Sequence, residues 1–383
     1  MNIALVAVGY NRPDSMMRLL NSLKQADYGS DAVSLIVSID KGQRQDEIRQ
    51  LAEQFEWPYG NKRVRAFQQR QGLKPHILQC GDLTKEFDAV VVLEDDIVVS
   101  QGFYTYVQQC VAKYDQNPGV AGISLYRHKI NPGNHMPFEV DEDPYDVYFM
   151  QVAQSWGQCW TAQMWHGFRE WLVDENQSIE DDGYLPAYVC AWDGRSWLKY
   201  YNRYVAETGK FYVYPYKSLT TNHTESGTHS IEVNSDFQVP LLSRSMNYRL
   251  PALEEGLRYD AFFERMGIAD ELLPELNGKK LLDLQGTRTK FLDARYLISV
   301  QKMPYKVVKT FSIKYRPIEV NVLMQEDGQG IYVYDLSLSA TPPKSYDDYR
   351  LIAYYHRGLT WQKALCFAFR RMRIKLKRML RQK

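Results

Sequence analysis

Short apolar segments alternate with amphipathic segments through the first 125 residues of the chain. The apolar segments predict strands at 3–8, 33–39, 63–68, 89–93 and 120–125. The segments between them repeat apolar residues every three or four positions and predict helices at 14–25, 43–55, within 73–87 and at 103–114. Strands that alternate with helices pair in parallel through right-handed crossovers. The pattern therefore predicts an α/β fold, a doubly wound and mostly parallel sheet flanked by helices.

The pattern is less regular after residue 125. Residues 126–145 predict a loop, whereas helical spacing recurs at 162–173, 186–204 and 252–273. The segments 288–315 and 319–336 favour strands, with a candidate hairpin turn at 325–328. These changes predict a main domain, an accessory α+β region as a C-terminal extension and a terminal helix. Their expected bounds are 1–240 (in halves 1–125 and 126–240), 241–360 and 361–383.

Three carboxylates follow the most apolar of the predicted strands. Residues 89–93 read Ala-Val-Val-Val-Leu, and Glu94, Asp95 and Asp96 come directly after them. Like charges this close resist desolvation unless a cation neutralises them. Mg²⁺ and Mn²⁺ prefer oxygen ligands, and open parallel sheets bind ligands at the carboxyl ends of their strands. We expect a Mn²⁺ or Mg²⁺ site here; the alternative is a solvated loop or a helix start.

The C-terminal segment predicts a basic amphipathic helix. Its apolar positions recur every three or four residues, at Trp361, Leu365, Phe369, Met372, Leu376 and Met379. Residues 370–383 hold eight Lys or Arg and no acidic residue. A helix with an aromatic start and a basic polar face is typical of peripheral binding to an acidic membrane surface. The alternative is a helix packed on the protein body with its basic face in solvent.

Charge and cysteine content narrow the class of protein. The net charge of the 383-residue chain is +1, so residues 1–369 carry about −7, which does not favour a nucleic-acid binder. The five cysteines include no CxxC pair and fit a reducing compartment. No leader peptide, membrane-spanning run, GxGxxG or GxxxxGK[ST] motif is recognisable. We therefore expect a cytoplasmic protein without a dinucleotide or P-loop site.

Four segments resemble nucleotide-sugar glycosyltransferases of the GT-A fold, with N-acetylglucosaminyltransferase I and bacterial relatives as the nearest pattern. The segments are VAVGYNRP at 6–13, IVSIDKG at 36–42, VLEDDI at 92–97, and SWG at 155–157 with AWD at 191–193. The third is similar to the family's Glu-Asp-Asp form of the DxD motif. The resemblance covers residues 1 to about 235. It implies a GT-A-like catalytic domain, with 1–125 as the nucleotide-binding half and 126–240 as the acceptor half.

The resemblance also implies roles on the donor side. Asp96 would be the direct metal ligand, Asp95 would lie near the ribose or metal-bound waters, and Glu94 would face the donor sugar. Asp40 would accept a hydrogen bond from the uracil N3–H, and Arg12 would bind the diphosphate. Ordinary alternatives are a turn residue for Asp40 and a surface arginine for Arg12.

A second set of residues follows from the same resemblance. Lys74, His76, Trp156 and Trp192 are expected to contribute to donor binding. Asp193 is the candidate general base, which an inverting transferase needs to take the acceptor proton. The family pattern has two acids between tryptophans, whereas this chain reads WDGRSW at 192–197. The rival acids lie at 180–182, and the polar loop 222–230, with His223 and His229, is a candidate lid; the alternative for it is an ordinary surface loop.

Together these observations predict a metal-dependent inverting glycosyltransferase. It would move a hexosyl or N-acetylhexosaminyl group from a UDP-sugar to a glycan or lipid-linked glycan acceptor, in surface polysaccharide biosynthesis. We expect it to act at the inner face of the membrane, without a nucleic-acid partner. The alternatives are a sugar nucleotidyltransferase, which would usually carry a Gly-rich basic loop after the first strand, and a non-catalytic sugar-binding protein.

Overall fold

The computed structural model describes residues 1–173, 178–223, 235–344, 350–356 and 358–381. The strands are β1 Ile3–Gly9, β2 Ser34–Ile39, β3 Lys62–Ala66, β4 Ala89–Glu94, β5 Ile97–Val99, β6 Val120–Ser124, β7 Val147–Met150, β8 Gln158–Thr161, β9 Phe211–Pro215, β10 Thr220–Asn222, β11 Arg258–Tyr259, β12 Lys280–Asp283, β13 Tyr296–Ser299, β14 Tyr305–Ser312 and β15 Gly330–Ser339. The α-helices are α1 Pro13–Lys24, α2 Gln45–Gln54, α3 Leu73–Gly81, α4 Phe103–Tyr114, α5 Ala162–Trp171, α6 Ala187–Cys190, α7 Trp197–Glu207, α8 Ile268–Leu272, α9 Val320–Leu323, α10 Arg350–Tyr355 and α11 Trp361–Arg381. The strands and helices predicted before residue 125 are confirmed.

A nine-stranded sheet forms the centre of the molecule, in the order β11-β7-β9-β6-β8-β4-β1-β2-β3. Strands β4, β1, β2 and β3 pair in parallel, and β8 enters antiparallel between β4 and β6. The predicted doubly wound and mostly parallel sheet is therefore confirmed. Strand β11 pairs with β7, so the large sheet includes one strand from beyond residue 240.

Side chains of the central strands alternate between two apolar layers, because successive residues of a strand point to opposite faces. Leu5 and Val91 pack with α1, α2 and α4 in one layer. Val6 and Val92 pack with α3, α5 and α7 in the other. Strands buried on both faces explain the continuous apolar runs of the sequence.

The accessory region is a four-stranded sheet, in the order β12-β13-β15-β14, with its own apolar core. The helix predicted at 252–273 is wrong: only α8 forms there, after β11. Gly256 lies too close to the Phe149 ring for a side chain, and Gly267 takes a positive φ of 84°, so neither suits a helix interior. The predicted strand at 319–336 is replaced in its first part by α9, which precedes β15.

Helix α11 confirms the predicted C-terminal helix. Its apolar side chains lie in solvent, with exposed fractions of 69% for Trp361, 61% for Phe369 and 57% for Leu376. These side chains are therefore not packed against the protein body, as the alternative would require. Within the described residues, none of the helices is both long and apolar enough to cross a membrane.

Candidate functional site

The three carboxylates lie where the carboxyl ends of the central parallel strands meet. Glu94 ends β4, and Asp95 and Asp96 form the turn into β5. In the sheet register Val8 of β1 lies opposite Glu94, and Gly9 lies opposite Ile39 of β2. The loops after β1 and β2 therefore start beside the triplet, as expected for a parallel sheet.

Arg12, in the loop between β1 and α1, contacts two of the carboxylates. Its Nη2 donates a short hydrogen bond to Asp95 Oδ1 and lies 3.4 Å from Asp96 Oδ2. The Asp95 side chain is almost fully buried, whereas those of Arg12 and Asp96 are each 27% exposed. One guanidinium thus faces two carboxylates at the mouth of the site. Positive charge at this position stabilises the ionised forms of both acids.

The positive charge of Arg12 is not enough for all three acids. Burial, and after it the charges of Asp96 and Asp95, raises the pKa of Glu94 to about 8. Burial also raises the pKa of Asp95 to about 6, although the charge of Arg12 opposes that shift. A group of acids whose ionisation is held back in this way binds a further cation favourably.

These residues fit a hard divalent cation. Adjacent carboxylates at a partly open strand end supply the oxygen ligands that Mg²⁺ and Mn²⁺ prefer, and such ions usually take one or two protein carboxylates and complete their shell with waters and substrate phosphates. Among the described residues no group of three or more His, Cys, Asp or Glu is arranged to hold a metal alone. The triplet thus supplies some of the oxygen ligands that such an ion needs, but not a complete set.

Asp40 is placed at the end of β2, beside the start of α3. Its Oδ1 accepts hydrogen bonds from the backbone N–H groups of Lys41 and Gln71, at 2.8 and 2.7 Å. Its Oδ2 accepts one from Gly72 N–H at 2.9 Å. Gly72 has a positive φ of 81°, which a side chain would strain, and immediately precedes α3. The carboxylate thus holds the β3–α3 loop against β2 and keeps one lone pair on Oδ2.

Two buried side chains of α3 lie behind this loop. His76 Nε2 is 2.7 Å from Ser38 Oγ of β2. Burial lowers the pKa of His76 to about 4, although the charge of Asp40 opposes the shift. Lys74 Nζ lies 3.9 Å from the centre of the Tyr200 ring and donates to the carbonyl oxygen of Gly194 at 3.2 Å. Lys74 therefore joins α3 to the loop before α7.

That loop carries Asp193. The helix predicted at 186–204 is interrupted here, since α6 ends at Cys190 and α7 begins at Trp197. Both Asp193 oxygens accept hydrogen bonds from the Arg195 side chain, at 2.6 to 3.1 Å. This pairing lowers the pKa of Asp193 to about 2. The Asp193 carboxylate is 56% exposed, so solvent or a ligand can reach it.

Two lysines hold the backbone of this loop. Lys199 Nζ donates to the carbonyl oxygens of Cys190 and Trp192, at 2.6 and 3.0 Å. Lys74 holds the carbonyl oxygen of Gly194, two residues further on. Trp192 itself is half-buried, with its ring 5.8 Å from that of Tyr188. The sequence analysis missed Lys199, whose only signal is a lysine on the apolar face of a helix.

Trp156 is linked to the pair of strands that follows the triplet. Its ring is 4.7 Å from the ring of Tyr126 and stacks on that of Phe237 at 5.1 Å. Its carbonyl oxygen accepts a 2.5 Å hydrogen bond from Thr220 Oγ1 of β10. Strand β10 pairs antiparallel with β5, directly after the triplet. Gly157, which follows Trp156 with a positive φ of 97°, packs against Thr220 and Leu93.

The predicted site residues thus fall into two groups. Arg12 contacts Asp95 and Asp96, which directly follow Glu94, and Trp156 is joined to β10, which pairs with the strand after the triplet. The described contacts connect the other group through α3, from Asp40 past His76 and Lys74 to the loop that holds Trp192 and Asp193. No described hydrogen bond or ion pair joins Asp193 to the triplet.

The rival acids at 180–182 have structural partners. Asp182 receives a two-pronged hydrogen bond from Arg203 of α7, at 2.5 and 2.6 Å. Asp181 accepts from Thr289 Oγ1 at 2.8 Å. These contacts tie their loop to α7 and to the accessory region. The described contacts of Asp181 and Asp182 are therefore structural.

The candidate lid at 222–230 lies largely outside the described residues. Its first residues are placed: Asn222 ends β10, and His223 N–H donates to the Asp96 carbonyl oxygen at 2.7 Å. The last described residue of this segment, His223, therefore lies next to the triplet. His229 falls within 224–234, outside the described residues.

Comparison with known proteins gives structural likenesses only. No family model and no curated protein matches the chain. It is similar to S. aureus TarS 1–349 in complex with UDP-GlcNAc, at 11% identity and a TM-score of 0.38, over 60% of each chain. It is similar to the mannosyltransferase PcManGT from Pyrobaculum calidifontis in complex with GDP-Man and Mn²⁺, at 12% identity and a TM-score of 0.36, over 56% of this chain and 54% of that one.

A third similar structure is GalNAc-T7 with UDP, GalNAc and Mn²⁺, at 13% identity and a TM-score of 0.37. The match covers 56% of this chain and 42% of GalNAc-T7. The chain thus spans 60% or less of each of these proteins. The matches belong to the class of protein that the sequence resembles. The likeness is one of fold and extends over part of the chain.

Proposed function

We propose that the chain is a metal-dependent, inverting glycosyltransferase that moves a sugar from a UDP-sugar to a glycan or lipid-linked glycan acceptor. The observation that carries the proposal is the carboxylate triplet at the meeting point of β1, β2 and β4, with Arg12 between two of its members. That position suits a metal-diphosphate group, since it offers oxygen ligands and a cation at the carboxyl ends of the parallel strands. The transferred group would be a hexose or an N-acetylhexosamine.

Asp96, the more exposed aspartate, would hold the Mn²⁺ or Mg²⁺, with Asp95 beside it. A metal bound there stabilises the charge of the departing diphosphate. Arg12 would turn from the carboxylates to the diphosphate, where its planar donors form paired hydrogen bonds. Asp40 would accept from the uracil N3–H with its remaining Oδ2 lone pair.

On the acceptor side, Asp193 would take the proton of the attacking hydroxyl. Its exposure supports access by an acceptor, and the carbonyl contacts of Lys74 and Lys199 keep its loop fixed. For this role Asp193 would exchange Arg195 for the acceptor hydroxyl, because a carboxylate held in that ion pair is a weak base. Trp192 would pack on a sugar face.

Helix α11 supports the membrane part of the proposal. Trp361, Leu365, Phe369 and Leu376 share one exposed apolar stripe, and the basic residues of the helix lie mostly on its other sides. Such a helix lies in the headgroup region of an acidic bilayer. We propose peripheral attachment at the cytoplasmic face, where a lipid-linked acceptor for surface polysaccharide would be presented.

A non-catalytic sugar-binding protein is the second candidate, because Asp193 is engaged by Arg195. Transfer assays with Asp193→Asn separate the two. We expect the variant to bind a UDP-sugar with Mn²⁺ as the wild type does but to lose transfer by about 10²- to 10⁴-fold, the usual contribution of a general base. Asp182→Asn, which removes an exposed carboxylate paired with Arg203, is the matched control. Transfer that survives in Asp193→Asn overturns the base assignment, and a wild type that binds donor without any transfer favours the second candidate.

A further inference from the structure

Among the described residues, the side-chain amide of Gln158 in the central sheet has no hydrogen-bond partner. It is the first residue of β8 and is 0% exposed. Neither its amide oxygen nor its amide nitrogen has a hydrogen-bond partner among the described residues. Nearly all buried polar groups in folded proteins are paired, and each unpaired one calls for an explanation. Here both ends of one amide are unpaired.

The strands beside Gln158 do not supply the missing partners. Val92 of β4 lies directly opposite on one side and has an apolar side chain. Ser124 of β6 lies opposite on the other side. Its hydroxyl already donates to the Tyr126 carbonyl at 2.8 Å and accepts from Tyr126 N–H and from Gln154 Nε2, at 3.1 and 2.8 Å. The hydrogen-bonding capacity of the Ser124 hydroxyl is therefore already filled.

Gln158 lies on the same face of the sheet as Glu94. Val92 and Trp160 belong to the apolar layer beneath α3, α5 and α7, and residues at even spacing along a strand share a face. Glu94 follows Val92 by two positions and Gln158 precedes Trp160 by two, so both point into that layer. Diagonal neighbours of an antiparallel pair lie roughly 7–8 Å apart, so the long side chains of Gln158 and Glu94 can reach the same small ligand.

We propose that Gln158 is a specificity-determining residue, whose side-chain amide hydrogen-bonds hydroxyl groups of the transferred sugar next to Glu94. The inference rests on the proposed function and extends it to the sugar subsite. An amide offers one acceptor and two donor hydrogens, and a pair of sugar hydroxyls offers the complementary set. A site built to bond a hydroxyl discriminates strongly against a ligand that lacks it, because its own polar groups then stay unpaired.

The test replaces Gln158 by methionine, which has a similar length and no hydrogen-bonding amide. Dissociation constants are measured for UDP, UDP-glucose and UDP-N-acetylglucosamine in the presence of Mn²⁺, together with the thermal midpoint without ligand. We expect UDP to bind Gln158→Met as it binds the wild type, and the preferred UDP-sugar to bind about tenfold more weakly. The thermal midpoint should stay or rise, because the unpaired amide is gone.

Gln154→Met is the matched control for stability. Gln154 is equally buried, but its amide donates to Ser124 Oγ and to the Gly157 carbonyl and accepts from Trp156 N–H. Loss of these hydrogen bonds should lower the thermal midpoint of Gln154→Met. If Gln158→Met is destabilised to the same degree and its ratio of UDP-sugar to UDP affinity is unchanged, the amide is bonded to a structural water and the inference is overturned. A wild type that binds no UDP overturns the proposed function, and this inference with it.

Discussion

The guanidinium of Arg12 lies 3.4 Å from the carboxylate of Asp96 while it donates to Asp95. The two residues come from different loops, 84 positions apart, that meet because β1 and β4 are parallel neighbours. Arg12 thus neutralises in part the charge that a metal would neutralise. This relationship connects the stability of the site with the metal binding that we propose for it.

Replacement of Arg12 by methionine should make folding stability depend on metal. Asp95 is buried, so the loss of its partner leaves a carboxylate that must stay unpaired or take a proton. We expect the free energy of unfolding near neutral pH to fall by about 1–3 kcal/mol, and millimolar Mn²⁺ to restore part of it. Denaturant unfolding with and without Mn²⁺ measures both effects. The control is Arg44→Met, which removes an exposed arginine paired with Glu47. Equal effects of the two variants, or no recovery with Mn²⁺, would contradict the account.

His76 should make stability fall in mild acid. Its pKa is about 4 in the folded protein and about 6.5 in the unfolded chain, so the unfolded state binds a proton that the folded state refuses as the pH drops through this window. Between about pH 7.5 and about pH 5 this proton uptake lowers the free energy of unfolding by about 2 kcal/mol. His76→Gln keeps a group that can bond Ser38 and does not titrate.

The measurement is the difference in unfolding free energy between wild type and His76→Gln as a function of pH. Other titrating groups are common to both proteins and largely cancel. We expect the wild type to lose stability relative to the variant by about 2 kcal/mol over that pH range. A difference that stays constant with pH would show that His76 is not held neutral by burial.

The apolar stripe of α11 should determine binding to acidic vesicles. Leu365→Ser with Phe369→Ser removes two exposed members of the stripe. Each loses on the order of 2 kcal/mol of transfer free energy, so binding should weaken by about a hundredfold or more. Phe367→Ser is the control, because Phe367 is equally exposed but lies off the stripe.

Vesicles with and without anionic lipid are compared at low and high salt in a sedimentation assay. Electrostatic attraction predicts weaker binding of the wild type in neutral lipid and at high salt. If the double variant and Phe367→Ser partition alike, the stripe does not contact the membrane. Binding that is indifferent to anionic lipid would show that the basic residues do not contribute.

The sequence predicted the parallel half of the fold because its signals are local. The run at 89–93 is apolar at every position and is followed directly by three acids. This pattern correctly placed the triplet at the carboxyl end of a buried strand. The helical spacing of α11 likewise appears without knowledge of any neighbour. In both cases periodicity and charge are read within one segment.

The partners of the site residues could not be predicted in the same way. Lys74 meets Gly194 across 120 positions, and Asp40 meets the Gly72 N–H across 32. The first contact depends on how α3 packs against α7, and the second on how the loop before α3 meets the end of β2; no single segment encodes either. The helix expected at 252–273 failed for a related reason, since the close packing on Phe149 that requires Gly256 is a contact with a distant segment.

The most direct test of the account is calorimetric donor binding by wild type and Asp96→Ala, with UDP-, GDP-, CMP- and dTDP-sugars, each with and without Mn²⁺. Asp182→Ala, which removes an exposed aspartate outside the triplet, is the control. The account predicts that the wild type and the control bind a UDP-sugar only with Mn²⁺, and that Asp96→Ala weakens this binding by at least about tenfold. Binding that ignores both Mn²⁺ and Asp96, or no binding of any nucleotide sugar, would contradict it.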